Sequence, residues 1–131
     1  MIMKDQLFKA ANAAMEFSHS PYSQFPVGAA VLSEAGNIYS GCNIENASFP
    51  EGNCAETTAI SHMVMAGEHR ILEIAVVAAK KTMITPCGGC RQRIAEFGKP
   101  DTLVHLCDEN GPKETMRLEE LLPKAFGPEA L

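Results

Sequence analysis

Three cysteines in two short islands constrain this chain more than any other feature. The first island is Asn53-Cys54-Ala55-Glu56, and the second is Pro86-Cys87-Gly88-Gly89-Cys90-Arg91-Gln92. Cysteines at i and i+3 of a first helical turn project to one side, and zinc takes thiolates readily. Both islands fall at expected helix N-termini, where the dipole and free N–H groups favour thiolate over thiol. Gly88 and Gly89 are expected to let the backbone come close to an ion. Three protein ligands rather than four is the pattern of a catalytic zinc that keeps an open position for water. Glu56 lies about 200° further round a helix than Cys54. An ion near the helix axis can still be approached from either side. Glu56 could then take a proton from the water without ligating the metal.

The same residues admit other readings. A lone C-x-x-C suits a redox pair, but that leaves Cys54 and Glu56 without a role. A structural zinc site wants a fourth ligand. The spare donors are Cys42, Cys107, His62 and His69. Cys42 and Cys107 fall in expected strands and read as small buried hydrophobes. His19, His62, His69 and His105 have no partner spacing and read as structural or exposed.

Composition narrows the class. The chain has 131 residues, a length expected to form a single domain over 1–131. Hydrophobic residues make up 46% and charged residues 21%, which suits an ordinary globular core. The net charge of −5 offers no basic footprint for nucleic acid. The purest apolar stretch runs over residues 74–79, too short for a membrane span. Lys4, Asp5, Lys9 and Glu16 interrupt any apolar leader. The odd count of five cysteines argues against a disulfide framework. The expected setting is therefore cytoplasmic, with free thiols or metal-bound ones.

Periodicity predicts a mixed α/β chain. Helices are expected over 4–17, 54–66, 87–97 and 118–122. Strands are expected over 27–32, 38–43, 71–79, 102–107 and, as a short edge strand, 114–116. The first two strands should form a hairpin through Ala35-Gly36-Asn37. The apolar run 71–79 suits a central strand buried on both faces. Strands alternating with helices imply a helix-covered sheet.

Taken together, the motifs resemble the small homotetrameric cytidine deaminases with a three-cysteine zinc site. The resemblance spans Pro21-Tyr22-Ser23-Gln24-Phe25-Pro26-Val27-Gly28, Gly41-Cys42-Asn43-Ile44-Glu45-Asn46-Ala47, both cysteine islands and the tail Leu121-Leu122-Pro123-Lys124-Ala125-Phe126. It implies a three-layer α/β/α fold on a mixed five-stranded sheet. It implies one Zn²⁺ per subunit held by Cys54, Cys87 and Cys90, with Glu56 as proton shuttle. Asn43 and Glu45 would bind ribose hydroxyls, Phe25 would pack on the nucleoside, and the backbone of Ala55 would contact the pyrimidine. Phe126, with Phe49, would reach an active site in a neighbouring subunit of a homotetramer. The implied reaction is hydrolytic deamination of cytidine and deoxycytidine to uridine and deoxyuridine, with ammonia released.

Two positions depart from the family pattern. Thr57 stands where the family commonly has Arg, and Phe49 where it often has Tyr. Three thiolates with one Zn²⁺ leave a surplus negative charge, which Arg91 and the helix N-termini are expected to temper. Rival readings are a deaminase of another aminopyrimidine nucleoside, such as a blasticidin-S type, and a non-catalytic zinc-stabilised oligomer. A polynucleotide-editing deaminase fits poorly with an acidic chain whose Asn43 and Glu45 would address free ribose hydroxyls.

Overall fold

The computed structural model describes residues 2–79 and 82–131. The elements follow in the order α1 (Lys4–Met15), β1 (Val27–Ser33), β2 (Ile38–Cys42), α2 (Ala55–Met65), β3 (Ile71–Ala78), α3 (Gly88–Phe97), β4 (Leu103–Asp108), β5 (Gly111–Arg117) and α4 (Leu118–Leu121). The five strands form one sheet in the order β2-β1-β3-β4-β5. β3 and β4 pair in parallel, and the other neighbours are antiparallel. The sheet is thus mixed, with the long apolar run at its centre as expected.

Alternation along the strands sends side chains to two separate cores. Ala29, Val31, Ile74, Val76, Val104 and Leu106 pack with Ala59, Ile60 and Met63 of α2 and Ile94 of α3. Ala30, Leu32, Ala75, Val77 and Cys107 face the opposite way and pack on Leu7 and Ala11 of α1. Helix, sheet and helix pair therefore make three layers. Two glycines permit the close contact. A Cβ at Gly28 would sit 1.9 Å from the Ala11 carbonyl oxygen of α1, and one at Gly41 would sit 2.4 Å from the Ala59 nitrogen of α2.

A buried polar chain crosses the α1 side. Glu73 Oε1 and His105 Nε2 are 2.7 Å apart, and His105 Nδ1 is 2.8 Å from Thr115 Oγ1. The Met3 N–H donates to the same Glu73 oxygen at 3.2 Å. Each member is satisfied, as burial requires, and the chain ties α1 and β5 to the sheet centre. His105 is the buried structural histidine among the four.

Several expected boundaries shift. α1 stops at Met15, because the Glu16, Phe17 and Ser18 N–H groups bond back three residues and tighten the turn. Phe17 is left 81% exposed. Cys54 and Cys87 stand just outside α2 and α3 as N-caps. Ala66 lies past the end of α2 and is exposed, and Ile60 takes a place in the buried stripe instead. Cys42 is only half-buried, since β2 ends there. β5 runs from Gly111, far longer than the expected 114–116. Its residues are mostly exposed at the sheet edge, so no apolar pattern announces it, and Pro112 is tolerated there.

Candidate metal and catalytic site

Cys54 caps α2 with φ −71° and ψ 157°, and Cys87 caps α3 with φ −67° and ψ 168°. Each thiol occupies a position usually held by Ser, Thr, Asp or Asn. Neither helix has a side-chain cap hydrogen bond. Cys90 is the third residue of α3. Side chains at the N-cap and third positions meet across a first turn, and this is why C-x-x-C converges here. α3 follows β3 and α2 follows β2, so the fold brings two helix N-termini together. The positive ends of both helices support thiolate.

The Cys54 and Cys87 sulfurs lie 3.9 Å apart. All three sulfurs are within 4.8 Å of one another. Tetrahedral zinc with Zn–S bonds of about 2.3 Å holds its sulfurs about 3.8 Å apart. Donor type, number and spacing therefore fit zinc. Among the described residues, this is the single group of three or more Cys, His, Asp or Glu side chains close enough to share an ion. Hydrogen bonding from Cys90 draws the Cys54 thiol down to about 6. The same contact, with burial, pushes Cys90 up. One thiolate at Cys54, shared between two thiols, accounts for both directions.

A cavity of about 330 Å³ opens onto this group, lined by Cys54, Cys87, Ala55, Glu56, Asn43 and Glu45 among others. Glu56 is 4% exposed, and burial pushes its carboxyl above the usual range. The 200° separation expected from Cys54 does not apply. Cys54 has extended backbone, so helical rotation begins only at Ala55. Ala55 opens α2, so its N–H has no partner inside the helix.

Asn43 and Glu45 are more committed to their own chain than a free binding residue would be. Asn43 Oδ1 accepts from the Val27 N–H at 2.9 Å and from Ser18 Oγ, while Nδ2 donates to the Phe25 carbonyl at 3.0 Å. One amide hydrogen remains to donate. Glu45 accepts from the Tyr22 and Ser23 N–H groups at 3.0 and 3.1 Å, and from Ser23 Oγ. The Ser23 hydroxyl, above all, holds the Glu45 carboxyl below its ordinary value. Ser23 was not legible as a site residue, since its partner lies 22 positions away.

The aromatic residues divide. Phe49 lines the cavity and pairs with Tyr22, their ring centres 5.9 Å apart. Phe25 lies outside the lining and packs partly against the larger core. Phe126 is 61% exposed and borders a different hollow of about 490 Å³ beneath the C-terminal tail. Within one chain, neither Phe25 nor Phe126 joins the cysteine group.

Arg91 makes no hydrogen bond to a cysteine sulfur among the described residues. Its Nε donates to the Pro86 carbonyl at 2.7 Å and its Nη1 to the Leu121 carbonyl at 2.9 Å. It clamps the approach to α3 against the C-terminal segment. The cation whose charge bears on Cys54 and Glu56 is Arg93, as the smallest influence on each: hydrogen bonding from Cys90 dominates at Cys54, and burial still raises Glu56. A Cβ at Gly89 would lie 3.1 Å from Arg93 Nη1, whereas one at Gly88 would meet nothing within 4 Å. Gly89 thus makes room for a guanidinium. Thr57 supplies no charge, and its buried hydroxyl has no hydrogen-bond partner among the described residues.

Comparison with known proteins agrees with this geometry. The family model described as the cytidine and deoxycytidylate deaminase zinc-binding region matches residues 1–106. A cytidine deaminase of Sporosarcina psychrophila is 44% identical over 127 residues, covering 97% of this chain and 93% of that protein. One from Mycobacterium tuberculosis is 38% identical, covering 89% of this chain and 84% of that protein. The crystal structure of a cytidine deaminase from Burkholderia pseudomallei superposes with TM-score 0.89 at 42% identity, covering 95% of this chain and 100% of that one. One from Mycobacterium leprae gives TM-score 0.81 at 37% identity, covering 92% and 97%. With three sulfurs at zinc spacing and relatives matched over nearly their whole length, this chain belongs to the cytidine and deoxycytidylate deaminase zinc-binding family.

Proposed function

We propose that this chain is a zinc-dependent hydrolase that deaminates cytidine and deoxycytidine to uridine and deoxyuridine, releasing ammonia. The observation that carries the reading is a buried carboxyl, Glu56, lining one cavity with Cys54 and Cys87, two of the three cysteines whose sulfurs lie at zinc spacing. Neither a blasticidin-type substrate nor a non-catalytic zinc oligomer is favoured by the comparisons.

Cys54, Cys87 and Cys90 hold the ion. When bound, Zn²⁺ supplies a Lewis acid that makes water nucleophilic near neutral pH. Glu56 takes a proton from the attacking water and passes it to ring N3, which makes C4 electrophilic. It then moves the second water proton to the exocyclic nitrogen, which departs as ammonia. The raised affinity of a buried carboxyl for protons suits a group that must carry one twice. The Ala55 N–H, which has no partner inside α2, orients the base edge as an amide donor to a pyrimidine acceptor. Asn43 donates its remaining hydrogen to a ribose hydroxyl, and Glu45 accepts from one. Phe25 packs on the nucleoside, which requires a small movement from its place against the core.

Phe126 completes the site of a neighbouring subunit in a homotetramer. Its exposure supports this, as does the exposure of Phe17 and Met65 at 81% and 86%. Unpartnered apolar side chains of this size mark contact surfaces. The same reading makes residues 1–131 one domain, places the enzyme in pyrimidine salvage, and puts it in the cytoplasm. All five cysteines are free, as suits a reducing compartment, and no helix among the described residues is long and apolar enough to cross a membrane. A spectrophotometric assay on cytidine, deoxycytidine and blasticidin S, with metal content measured on the same sample, tests the reading. Turnover of cytidine with zinc bound is the expected result. Bound zinc without ammonia release from any nucleoside would refute it.

A further inference from the structure

Three thiolates around one divalent ion leave one negative charge uncompensated, and the buried Glu56 stands beside it. The two helix N-termini contribute about half a charge each, which at most offsets the thiolate surplus and leaves nothing for Glu56. Arg91 is occupied by two backbone carbonyls, and Thr57 brings no charge. Arg93 sits one turn beyond Cys90 on α3. A helical side chain leans toward the N-terminus, over the residues three and four before it, and for Arg93 these are Cys90 and Gly89. The guanidinium does lie over Gly89, at a distance that leaves no space for a larger side chain to pass unmoved. It takes part in none of the ion pairs among the described residues.

We propose that Arg93 is the charge-balancing residue of the three-thiolate site, folded over Gly89 to raise the affinity of the site for zinc. The proposal rests on the zinc reading above. Arg93 acts through the thiolates as a positioning residue and touches no reacting atom. Because the guanidinium is exposed, its effect must weaken as salt rises.

The test is chelator competition on the full zinc-loaded chain at fixed pH, comparing wild type with Arg93→Lys, Arg93→Gln and Arg93→Glu. Groups supporting metal ligands are typically worth 10- to 100-fold in affinity. Arg93→Lys should stay near wild type, Arg93→Gln should bind zinc about 10-fold more weakly, and Arg93→Glu about 100-fold more weakly. High salt should narrow these gaps. Circular dichroism of each variant checks the fold, which an exposed side chain should leave intact. If Arg93→Glu binds zinc within about twofold of wild type, Arg93 has no such role while the zinc reading stands. Equal weakening in Lys and Gln would assign Arg93 to packing rather than charge and overturn the proposal. A wild-type chain that binds no zinc at all would remove both readings together.

Discussion

Glu56→Gln separates chemistry from architecture. The substitution preserves shape and removes the one buried carboxyl in the cavity. General acid–base steps contribute about 10²–10⁴-fold each, or roughly 2.7–5.4 kcal/mol of barrier. In this mechanism both proton transfers pass through the same side chain, so the upper end applies. kcat should fall by about 10⁴-fold. Stability should move the other way or not at all. Burying a carboxylate opposes folding, and Gln avoids that cost at 4% exposure. The thermal midpoint should therefore hold or rise. Zinc content should remain about one ion per chain, because Glu56 is not a ligand. The assay is ammonia release from cytidine, run beside metal analysis and a thermal melt of the same sample. Turnover within about tenfold of wild type, with zinc retained, would take Glu56 out of the mechanism.

Cys87→Ser should abolish stoichiometric zinc binding and turnover, since a neutral hydroxyl replaces one thiolate of three; metal analysis after dialysis reads this directly. Gly41→Ala should cost about 1–3 kcal/mol of stability in a denaturant titration, because the new Cβ would collide with the Thr58 and Ala59 backbone. Displacing α2 also displaces Cys54 and Glu56, so turnover should drop with it; unchanged stability would show that the helix contact is slack. Glu68 is held down to about 2 from an ordinary 4.5 by hydrogen bonds from Ser33, Tyr39 and Asn37. A depressed carboxylate contributes stability above its unfolded value and loses it as pH falls through the folded one. Acid unfolding between about pH 4.5 and 2 should therefore flatten in Glu68→Gln, as followed by circular dichroism.

The C-x-x-C pair was readable because its convergence is local, an N-cap meeting the third residue of the same turn. The long apolar run of β3 was equally plain, because burial on both faces leaves no alternation to interpret. β5 was not, since an edge strand among polar residues carries no burial signal. Asn43 and Glu45 were recognised as a pair, yet their ties to Val27, Phe25 and the Tyr22–Ser23 backbone could not be anticipated. Those bonds join segments many residues apart.

The choice between Arg91 and Arg93 shows the division most clearly. Sequence by itself determined the donor set, the two helix N-termini and the need for a compensating cation, because these follow from residue chemistry and short-range geometry. It named the arginine adjacent to the cysteine. Two positions further on, the helix has turned by about 200°. Which side then faces the thiolates depends on how α3 docks against the sheet and against the 118–122 segment. Only the tertiary structure decided that Arg91 clamps the chain and Arg93 lies over Gly89, because packing sets the rotation of a helix.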